Sequence, residues 1–390
     1  MNKIKVLHII SCFGMGGAET WLLETCRFIS SSNDYNKKLK FDFLLIGGYE
    51  KHILDDEILS TGSKIHYTHF NKRNLFSFRN EFLHVLKTEN YDVIHSHQDF
   101  ISGWIFLAGS FHLPSLRITH LHNPFLGIKS YISHSKHRLI SYHFGRLLTF
   151  LFTNKIIGTS NKLMNEYGYN KFPYKYKNHG ALYCGISPKF YDKSTIQNAK
   201  SSQEIHKPEI KKALFVGRID LNESSSINQK NPTFAFKIAL ELVQNNSNWE
   251  FNFVGYKGNL AFQFEKELFK LGLDNRIKFL GIRMDIPILM KESNVLVFPA
   301  LEEGLGLVAV EAQSLGLPVL ASINVPYEAC IDKTLFFQMS LDEKIEDWVS
   351  KILELGNITK KDYASLAGAF EKSPFTIENS VANLFKCYSK

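Results

Sequence analysis

The chain has 390 residues, of which 44% are hydrophobic and 22% charged, and its formal net charge at pH 7 is +8. These values are typical of a globular protein rather than a disordered one, and the length suits two α/β domains. No apolar run reaches the roughly 20 residues that span a bilayer, and no known nucleic-acid-binding module is present. The five cysteines are scattered along the chain, which fits free thiols in a reducing cytoplasm.

The first predicted strand, Ile4 to Ile10, runs through a glycine-rich turn into a helix. Glycine has no Cβ, so the backbone N–H groups of such a turn can approach an anion closely. Gly14 and Gly16 match the start of a dinucleotide-binding fingerprint, but Glu19 stands where its third glycine belongs. The turn therefore predicts an anion site or a plain tight turn, and it disfavours a dinucleotide cofactor.

Strands and helices then alternate, which predicts a parallel sheet covered by helices on both faces. Two strand ends carry histidine pairs, His95-Ser-His97 and His120-Leu-His122. Residues i and i+2 of a strand share a face, so a metal site is one interpretation. The sequence around the second pair offers no carboxylate to support such ligands. We therefore predict no metal, and we expect His95 to be an ordinary core residue.

No acidic residue occurs from Phe100 to Asn165, whereas seven lysines and arginines do. Within this tract, residues 131–152 mix basic with aromatic side chains. Such a composition suits an amphipathic segment on anionic lipid or against an anionic acceptor. A partly buried helix with a solvated basic face is the alternative, and the sequence does not decide between them.

Residues 191–209 are polar and lack apolar periodicity, which predicts a linker between domains at 1–195 and 210–370. A final helix is predicted within 376–390.

In the second domain an apolar strand ends at Gly217-Arg218, and Lys230-Asn231-Pro232 opens a helix with Asn231 as its cap. An arginine at a strand end and a lysine at a helix start would converge on a diphosphate. Surface charge is the alternative for both.

The most informative stretch runs from Phe298 to Ser322. A buried strand leads to a turn that contains Glu303, and the helix that follows contains Glu311. If the spacing were fully helical, these carboxylates would lie about 12 Å apart toward one side. Helix N–H groups between them suit a phosphate. Two acids flanking an anion site fit a nucleotide-sugar, although a surface glutamate and one on an amphipathic helix are the alternative.

Glu303-Gly-Leu-Gly-Leu-Val-Ala-Val-Glu311 resembles the E-x7-E signature of the GT4 family of retaining glycosyltransferases. The resemblance implies the GT-B fold, with two Rossmann-like, doubly wound domains facing a central cleft and the helix in 376–390 crossing back onto the first. It also implies that no cofactor or metal is needed, because the donor is a nucleoside-diphosphate sugar. We expect a UDP-sugar.

The same resemblance implies individual roles. Glu303 would contact the donor sugar, Glu311 the ribose, and His122 the sugar and reaction centre. The residues expected to act in catalysis are His122, Arg218, Lys230 and Glu303. The residues expected to bind the donor are Gly16, Gly17, Arg283, Leu305, Gly306, Leu307 and Glu311. His97 and Asp99 are placed on the acceptor side by position alone.

The resemblance implies transfer of a hexose or N-acetylhexosamine to a glycan or a polyprenyl-diphosphate-linked acceptor. The setting would be bacterial capsule, exopolysaccharide or O-antigen synthesis, in the cytoplasm or peripherally on the inner face of the plasma membrane. We expect an anionic membrane surface as a partner and no nucleic acid. The alternatives are an epimerase or hydrolase on the same scaffold, a non-catalytic partner of a transferase, and a metal-dependent hydrolase.

Overall fold

The computed structural model describes residues 3–70, 75–190, 210–220, 228–358 and 369–389. The chain divides into two compact units, one formed by Met1–Ser187 with Pro374–Lys390 and the other by Pro188–Ser373. The predicted linker, 191–209, lies outside the described residues, as does most of the segment between Arg218 and Lys230. No described helix is long and apolar enough to cross a bilayer.

The first unit is built on an eight-stranded sheet in the order β3-β4-β2-β1-β5-β6-β7-β8. Its strands pair in parallel, except that β3 is antiparallel to β4. The strands are β1 Ile4–Ile10, β2 Leu39–Leu45, β3 Gly47–Gly48, β4 Ile65–His69, β5 Val93–Ser96, β6 Leu116–Leu121, β7 Lys155–Gly158 and β8 Asn178–Ala181.

The α-helices of this unit are α1 Gly17–Ser31, α2 Tyr35–Lys38, α3 Asp55–Ser60, α4 Leu75–Glu89, α5 Ser102–Gly109, α6 Phe125–Ser133, α7 Lys136–Phe152, α8 Asn161–Glu166 and, from the end of the chain, α14 Ile377–Tyr388. The central strands are buried almost throughout, as expected when helices cover both faces of a parallel sheet. Helix α14 is tied to α1 because the indole of Trp21 donates to the hydroxyl of Ser380 (2.9 Å).

The second unit contains a six-stranded parallel sheet in the order β11-β10-β9-β12-β13-β14. Its strands are β9 Lys211–Val216, β10 Trp249–Val254, β11 Ile277–Phe279, β12 Val295–Phe298, β13 Val319–Ser322 and β14 Phe336–Met339. Its α-helices are α9 Pro232–Asn245, α10 Asn259–Leu271, α11 Ile286–Glu292, α12 Leu307–Ser314 and α13 Ile345–Leu355.

In both sheets the strand order reverses next to the first strand of the unit: β5 lies beside β1, and β12 beside β9. In open parallel sheets, ligands bind beyond the carboxyl ends of the strands at this reversal. Gly16 follows β1 and His97 follows β5, while Arg218 follows β9 and Glu303 follows β12. The topology therefore brings each set of predicted residues to the binding edge of its own sheet.

Candidate active site

An ion pair lies at the reversal point of the second sheet. The Nζ of Lys230 is 2.6 Å from Oε1 of Glu303, which is largely buried, and also lies 4.9 Å from the ring centre of Phe298. Lys230 comes from the start of α9 and Glu303 from the turn after β12. The structure therefore joins the predicted phosphate-binding lysine to the predicted sugar-binding glutamate.

Residues just before α9 hold this lysine against the end of β9. The side-chain amide of Asn228 donates to the carbonyl oxygens of Arg218 (2.7 Å) and Asp220 (2.6 Å), and its Oδ1 accepts from the Lys230 amide (2.9 Å). A Cβ at Gly217 would lie 3.1 Å from Cγ of Lys230. The start of α9 thus lies against the end of β9 despite the long segment after Arg218. Asn231 precedes α9 as predicted, but it is left-handed and its side chain makes no capping bond, so that part of the prediction is wrong.

The turn between Glu303 and α12 requires glycine. Gly306 has φ +91°, and a Cβ there would meet the ring of Phe298 at 3.0 Å and Val325 at 3.1 Å. Helix α12 begins only at Leu307, so the segment from Glu303 to Glu311 is not fully helical. First-turn amides of a helix have no partner four residues earlier. At this helix start Leu305, Gly306 and Leu307 can offer a ligand only backbone polar groups, because they have no polar side chains.

Glu311 lies within α12. Desolvation raises the pKa of its carboxyl to about 7, against the opposing positive charges of Lys189 and Lys230. This acid is therefore partly protonated near neutral pH and is sensitive to any ligand that changes its surroundings.

The two predicted arginines of this unit are exposed. The guanidinium of Arg218 lies 5.6 Å from the ring centre of Tyr256, and that of Arg283 pairs with both oxygens of Asp285 (2.7 and 2.6 Å). Arg283 follows β11, the strand farthest from the Lys230–Glu303 pair on that side of the sheet. Arg218 is therefore accessible to a ligand from solvent, whereas Arg283 is held by its partner.

In the first unit, five histidine rings gather at the matching edge. They are His8, His95, His97, His120 and His122. Burial lowers the pKa of every one of these imidazoles, to about 3 for His8 and His122, so the rings are neutral. His95 is buried and bonded to the hydroxyl of Tyr388 (2.6 Å), as a core residue should be.

Three of these rings form a hydrogen-bonded chain. His8 Nδ1 lies 2.9 Å from His97 Nε2, and His97 Nδ1 lies 2.8 Å from His122 Nε2. The other nitrogen of His8, Nε2, is buried without a partner. A buried N–H group without an acceptor is rarer than a buried acceptor without a donor. The proton of His8 therefore belongs on Nδ1, the nitrogen that has a partner. Each ring then donates to the next, and His122 is left with its proton on Nδ1.

Asp99 holds the backbone next to His122. Its carboxylate accepts from the amide of His122 (3.0 Å) and the side-chain amide of Asn123 (2.6 Å). Asp99 itself adopts φ +44°, which is unusual for a residue other than glycine, and burial raises its pKa to about 6. Sequence reasoning placed His97 and Asp99 near the acceptor; the structure makes both of them supports of His122.

Two histidine triads have ligand atoms close enough for a metal ion: His8, His95 and His97, and His97, His120 and His122. Both triads use His97, whose two nitrogens already bond to other rings, so a metal would have to break one of those bonds. The expectation of no metal stays a prediction. His8 was missed from the sequence, although it is the only ring among the seven residues of β1.

Gly16 and Gly17 lie at the start of α1, and Gly16 is the residue that precedes its first turn. A Cβ at Gly16 would lie 2.3 Å from Oε2 of Glu19, so this carboxyl folds back over the glycine. Burial raises the pKa of Glu19. A phosphate arriving at this turn would therefore meet an acid that is easier than usual to protonate.

Two family models match the chain: Glycosyltransferase Family 4 over residues 15–173 and Glycosyl transferases group 1 over residues 197–362. The chain belongs to the family 4 glycosyltransferases. Every residue that the sequence predicted for the site lies within a matched range. The glycosyltransferase assignment agrees with the positions of these residues at the two sheet edges.

CapH of Staphylococcus aureus, a capsular polysaccharide biosynthesis glycosyltransferase, is 29% identical over 375 residues that cover 93% of each chain. The UDP-Gal:alpha-D-GlcNAc-diphosphoundecaprenol alpha-1,3-galactosyltransferase of Escherichia coli is 32% identical over 134 residues, 33% of each chain. The solved structure of Anabaena Alr3699/HepE with UDP and glucose superimposes with a TM-score of 0.72 at 17% identity, covering 98% of each chain. These likenesses confirm the predicted GT-B fold.

Proposed function

We propose that this glycosyltransferase moves a hexose or N-acetylhexosamine from a UDP-sugar, with retention of configuration, to a glycan or polyprenyl-diphosphate-linked acceptor in bacterial surface-polysaccharide synthesis. The observation that carries the proposal is the Lys230–Glu303 pair at the strand reversal, with Arg218 at the adjacent strand end. Lys230 and Arg218 can bind a diphosphate, and Glu303 can accept hydrogen bonds from sugar hydroxyls.

Donor binding would separate Lys230 from Glu303, because each residue would contact a different part of the donor. The diphosphate attracts Lys230 and Arg218, and Glu303 is then free to accept hydrogen bonds from sugar hydroxyls. As the glycosidic bond breaks, negative charge grows on the diphosphate, and fixed cations with the first amides of α12 stabilise it. A metal is not required for this step. The leaving phosphate would take the proton of the attacking acceptor hydroxyl, so no enzyme nucleophile is needed.

The relatives support the finer parts of the proposal. The HepE structure contains UDP and glucose, CapH acts in capsular polysaccharide biosynthesis, and the E. coli relative is named for a diphosphoundecaprenol acceptor. We infer a lipid-linked acceptor of the same chemical kind for this chain and peripheral binding to an anionic membrane. The basic, acid-free tract from Phe100 to Asn165 supports the membrane part.

The decisive experiment measures transfer from radiolabelled UDP-sugars to lipid-linked saccharide acceptors by purified protein. Donors that raise the melting temperature are tested first, because ligands that bind the native state stabilise it. A transferase should release little free sugar without acceptor and should not interconvert donor sugars. Sugar release at the full rate without acceptor would indicate a hydrolase, and interconversion of donors an epimerase.

Membrane association is tested separately by cosedimentation with anionic liposomes. Binding should weaken with salt and with removal of the charges of Lys136 and Arg138. Absence of binding at low salt would refute peripheral association and leave the transfer reaction untouched.

A further inference from the structure

The outward face of α7 is apolar. Ile140, Phe144, Leu147 and Leu151 are 65%, 44%, 45% and 56% exposed, and their spacing places them along one stripe of the helix. The sequence left open a solvated basic face for this segment, and the structure exposes Lys136 together with these apolar residues, so the exposed side of the helix is partly basic and partly apolar. Contiguous exposed apolar surface of this kind marks a binding site more often than a solvated face.

At its N-terminal end this stripe forms one wall of a groove of about 310 Å³. The lining residues are Leu75 of α4, Trp104 of α5, and His137, Ile140, Ser141 and Phe144 of α7. The volume falls near the lower end of the roughly 300–1,000 Å³ found for small-molecule sites. The Trp104 indole donates to the carbonyl oxygen of Ser141 (3.4 Å) and its ring packs on Phe144 (5.2 Å between ring centres), so the groove is faced mainly by hydrocarbon.

One end of the groove is positively charged. Helix α7 begins with Lys136, His137 and Arg138 and has no acidic residue in its first turn. Basic side chains at a helix start oppose the helix dipole, which favours anions there. Within the described parts of the chain, no carboxylate forms an ion pair with Lys136 or Arg138, and Arg138 instead lies over the ring of Tyr131 (4.9 Å). This end of the groove therefore fits an anionic group.

We propose that the groove binds the lipid part of the acceptor, a polyprenyl diphosphate, with the hydrocarbon chain along Ile140, Trp104 and Phe144 and the diphosphate near Lys136 and His137. The order of features fits an amphiphile, since the cations lie where α7 begins and the apolar wall continues for about 10 Å along it. The inference rests on the proposed lipid-linked acceptor, and it adds the place at which the lipid is recognised.

The test uses farnesyl diphosphate as a short, soluble probe, with UDP in excess to fill the donor site. Trp104 is the natural reporter because the other three tryptophans, Trp21, Trp249 and Trp348, are at most 2% exposed. The probe should shift the Trp104 emission to shorter wavelength and bind saturably. Inorganic diphosphate should leave the emission unchanged, and farnesol should bind at least tenfold more weakly than farnesyl diphosphate because it lacks the anionic group.

The matched variants are Ile140→Asp in the groove and Leu151→Asp on the same stripe outside it. Both positions are exposed, so neither change disturbs the core, and melting curves check this. Ile140→Asp should weaken the probe at least tenfold, whereas Leu151→Asp should bind as the wild type does. No emission change with the wild type, equal binding by wild type and Ile140→Asp, or equal weakening by both variants would each overturn the proposal.

Transfer assays separate this inference from the proposed function. With active enzyme, Ile140→Asp should raise the KM for a tailed acceptor and leave the rate with a tail-free acceptor unchanged. If the protein binds farnesyl diphosphate through Ile140 yet transfers no sugar, the lipid site stands and the proposed reaction fails. If it transfers sugar and the probe does not bind, the lipid site fails and the proposed reaction stands.

Discussion

The two candidate clusters handle charge in opposite ways. In the second unit, Lys230 and Glu303 form an ion pair, and Arg218 is exposed to solvent. In the first unit, burial keeps five imidazoles neutral, and three of them bond to one another. Ionic groups suit a ligand that carries charge and releases it during the reaction, whereas neutral donors suit the uncharged hydroxyls of a sugar. Each cluster therefore fits a different kind of ligand group, one charged and one uncharged.

The largest effect should come from breaking the ionic cluster. Arg218→Ala and Glu303→Ala should each lower kcat/KM by about 10²–10³-fold, because each removes a charge or hydrogen bond that acts on the reacting ligand. Steady-state transfer assays with melting curves measure this. The matched controls are Lys266→Ala and Glu267→Ala, exposed residues on α10. If Arg218→Ala transfers as fast as Lys266→Ala, the arginine does not belong to the site.

Breaking the neutral cluster at its middle should have a smaller effect. His97→Leu removes the bonds to His8 and His122, and we expect kcat to fall roughly ten- to hundredfold because His122 loses its fixed orientation. Nitrogen-15 NMR of the imidazoles should show the His122 proton on Nδ1 in the wild type and a mixture of tautomers in the variant. His97→Gln, which can keep one bond, should recover part of the rate. A loss of rate with an unchanged His122 signal would contradict a positioning role.

A third test uses Glu311, the acid on α12 of the second unit. With a folded pKa of about 7 against 4.5 in the reference state, the carboxyl is largely protonated at pH 6 and largely ionised at pH 8. If the carboxylate accepts ribose hydroxyl bonds, UDP should bind roughly tenfold more tightly at pH 8 than at pH 6. Calorimetric titration measures this, and Glu311→Gln should flatten the profile. An equally steep profile in the variant would assign the titration to another group.

The same pKa has a consequence for stability. Between pH 4.5 and 7 the folded protein binds more protons at Glu311 than the unfolded chain does, so the contribution of this group to stability falls as the pH rises through that range. Urea unfolding at pH 5 and pH 7.5 should show this fall, and Glu311→Gln should remove the part that Glu311 causes.

A fourth, smaller effect concerns the turn before α12. Gly306→Ala should destabilise the protein by about 1–3 kcal/mol, because it combines a left-handed conformation with contacts near 3 Å. Gly272→Ala is the matched control: Gly272 has φ +65° and nothing within 4 Å of an added Cβ. It should cost about 1–2 kcal/mol from the backbone alone, and less than Gly306→Ala. Equal losses in denaturant unfolding would show that the contacts with Phe298 and Val325 relax.

The last prediction concerns removal of metal ions, which should have no effect on the transfer rate. Treatment with a chelator should leave the transfer rate unchanged if Lys230 and Arg218, rather than a metal ion, neutralise the diphosphate. Elemental analysis of the purified protein checks the histidine triads directly. If the protein holds one zinc ion per chain and loses it together with activity on chelation, the histidine cluster is a metal site.

Much of the ionic cluster could be predicted from the sequence because its parts are local. Glu303, Gly306 and Glu311 lie within one strand–turn–helix segment, where they match the E-x7-E pattern, although the segment is not fully helical. Arg218 and Lys230 each mark the end or the start of an element, and such ends are readable from apolar periodicity and proline. The alternation of strands and helices likewise predicted parallel sheets with sites at their carboxyl edges.

Other features depended on contacts between distant parts of the chain, and only the tertiary structure decided them. His8 bonds to His97, which lies 89 positions later in the chain, because β1 and β5 pair. Lys230 reaches Glu303 because β9 lies beside β12. The apolar stripe of α7 faces outward because the helix packs on α5 through another face, which buries Gly145 and Thr149. Composition records which residues a helix contains, and packing determines which of them meet the solvent.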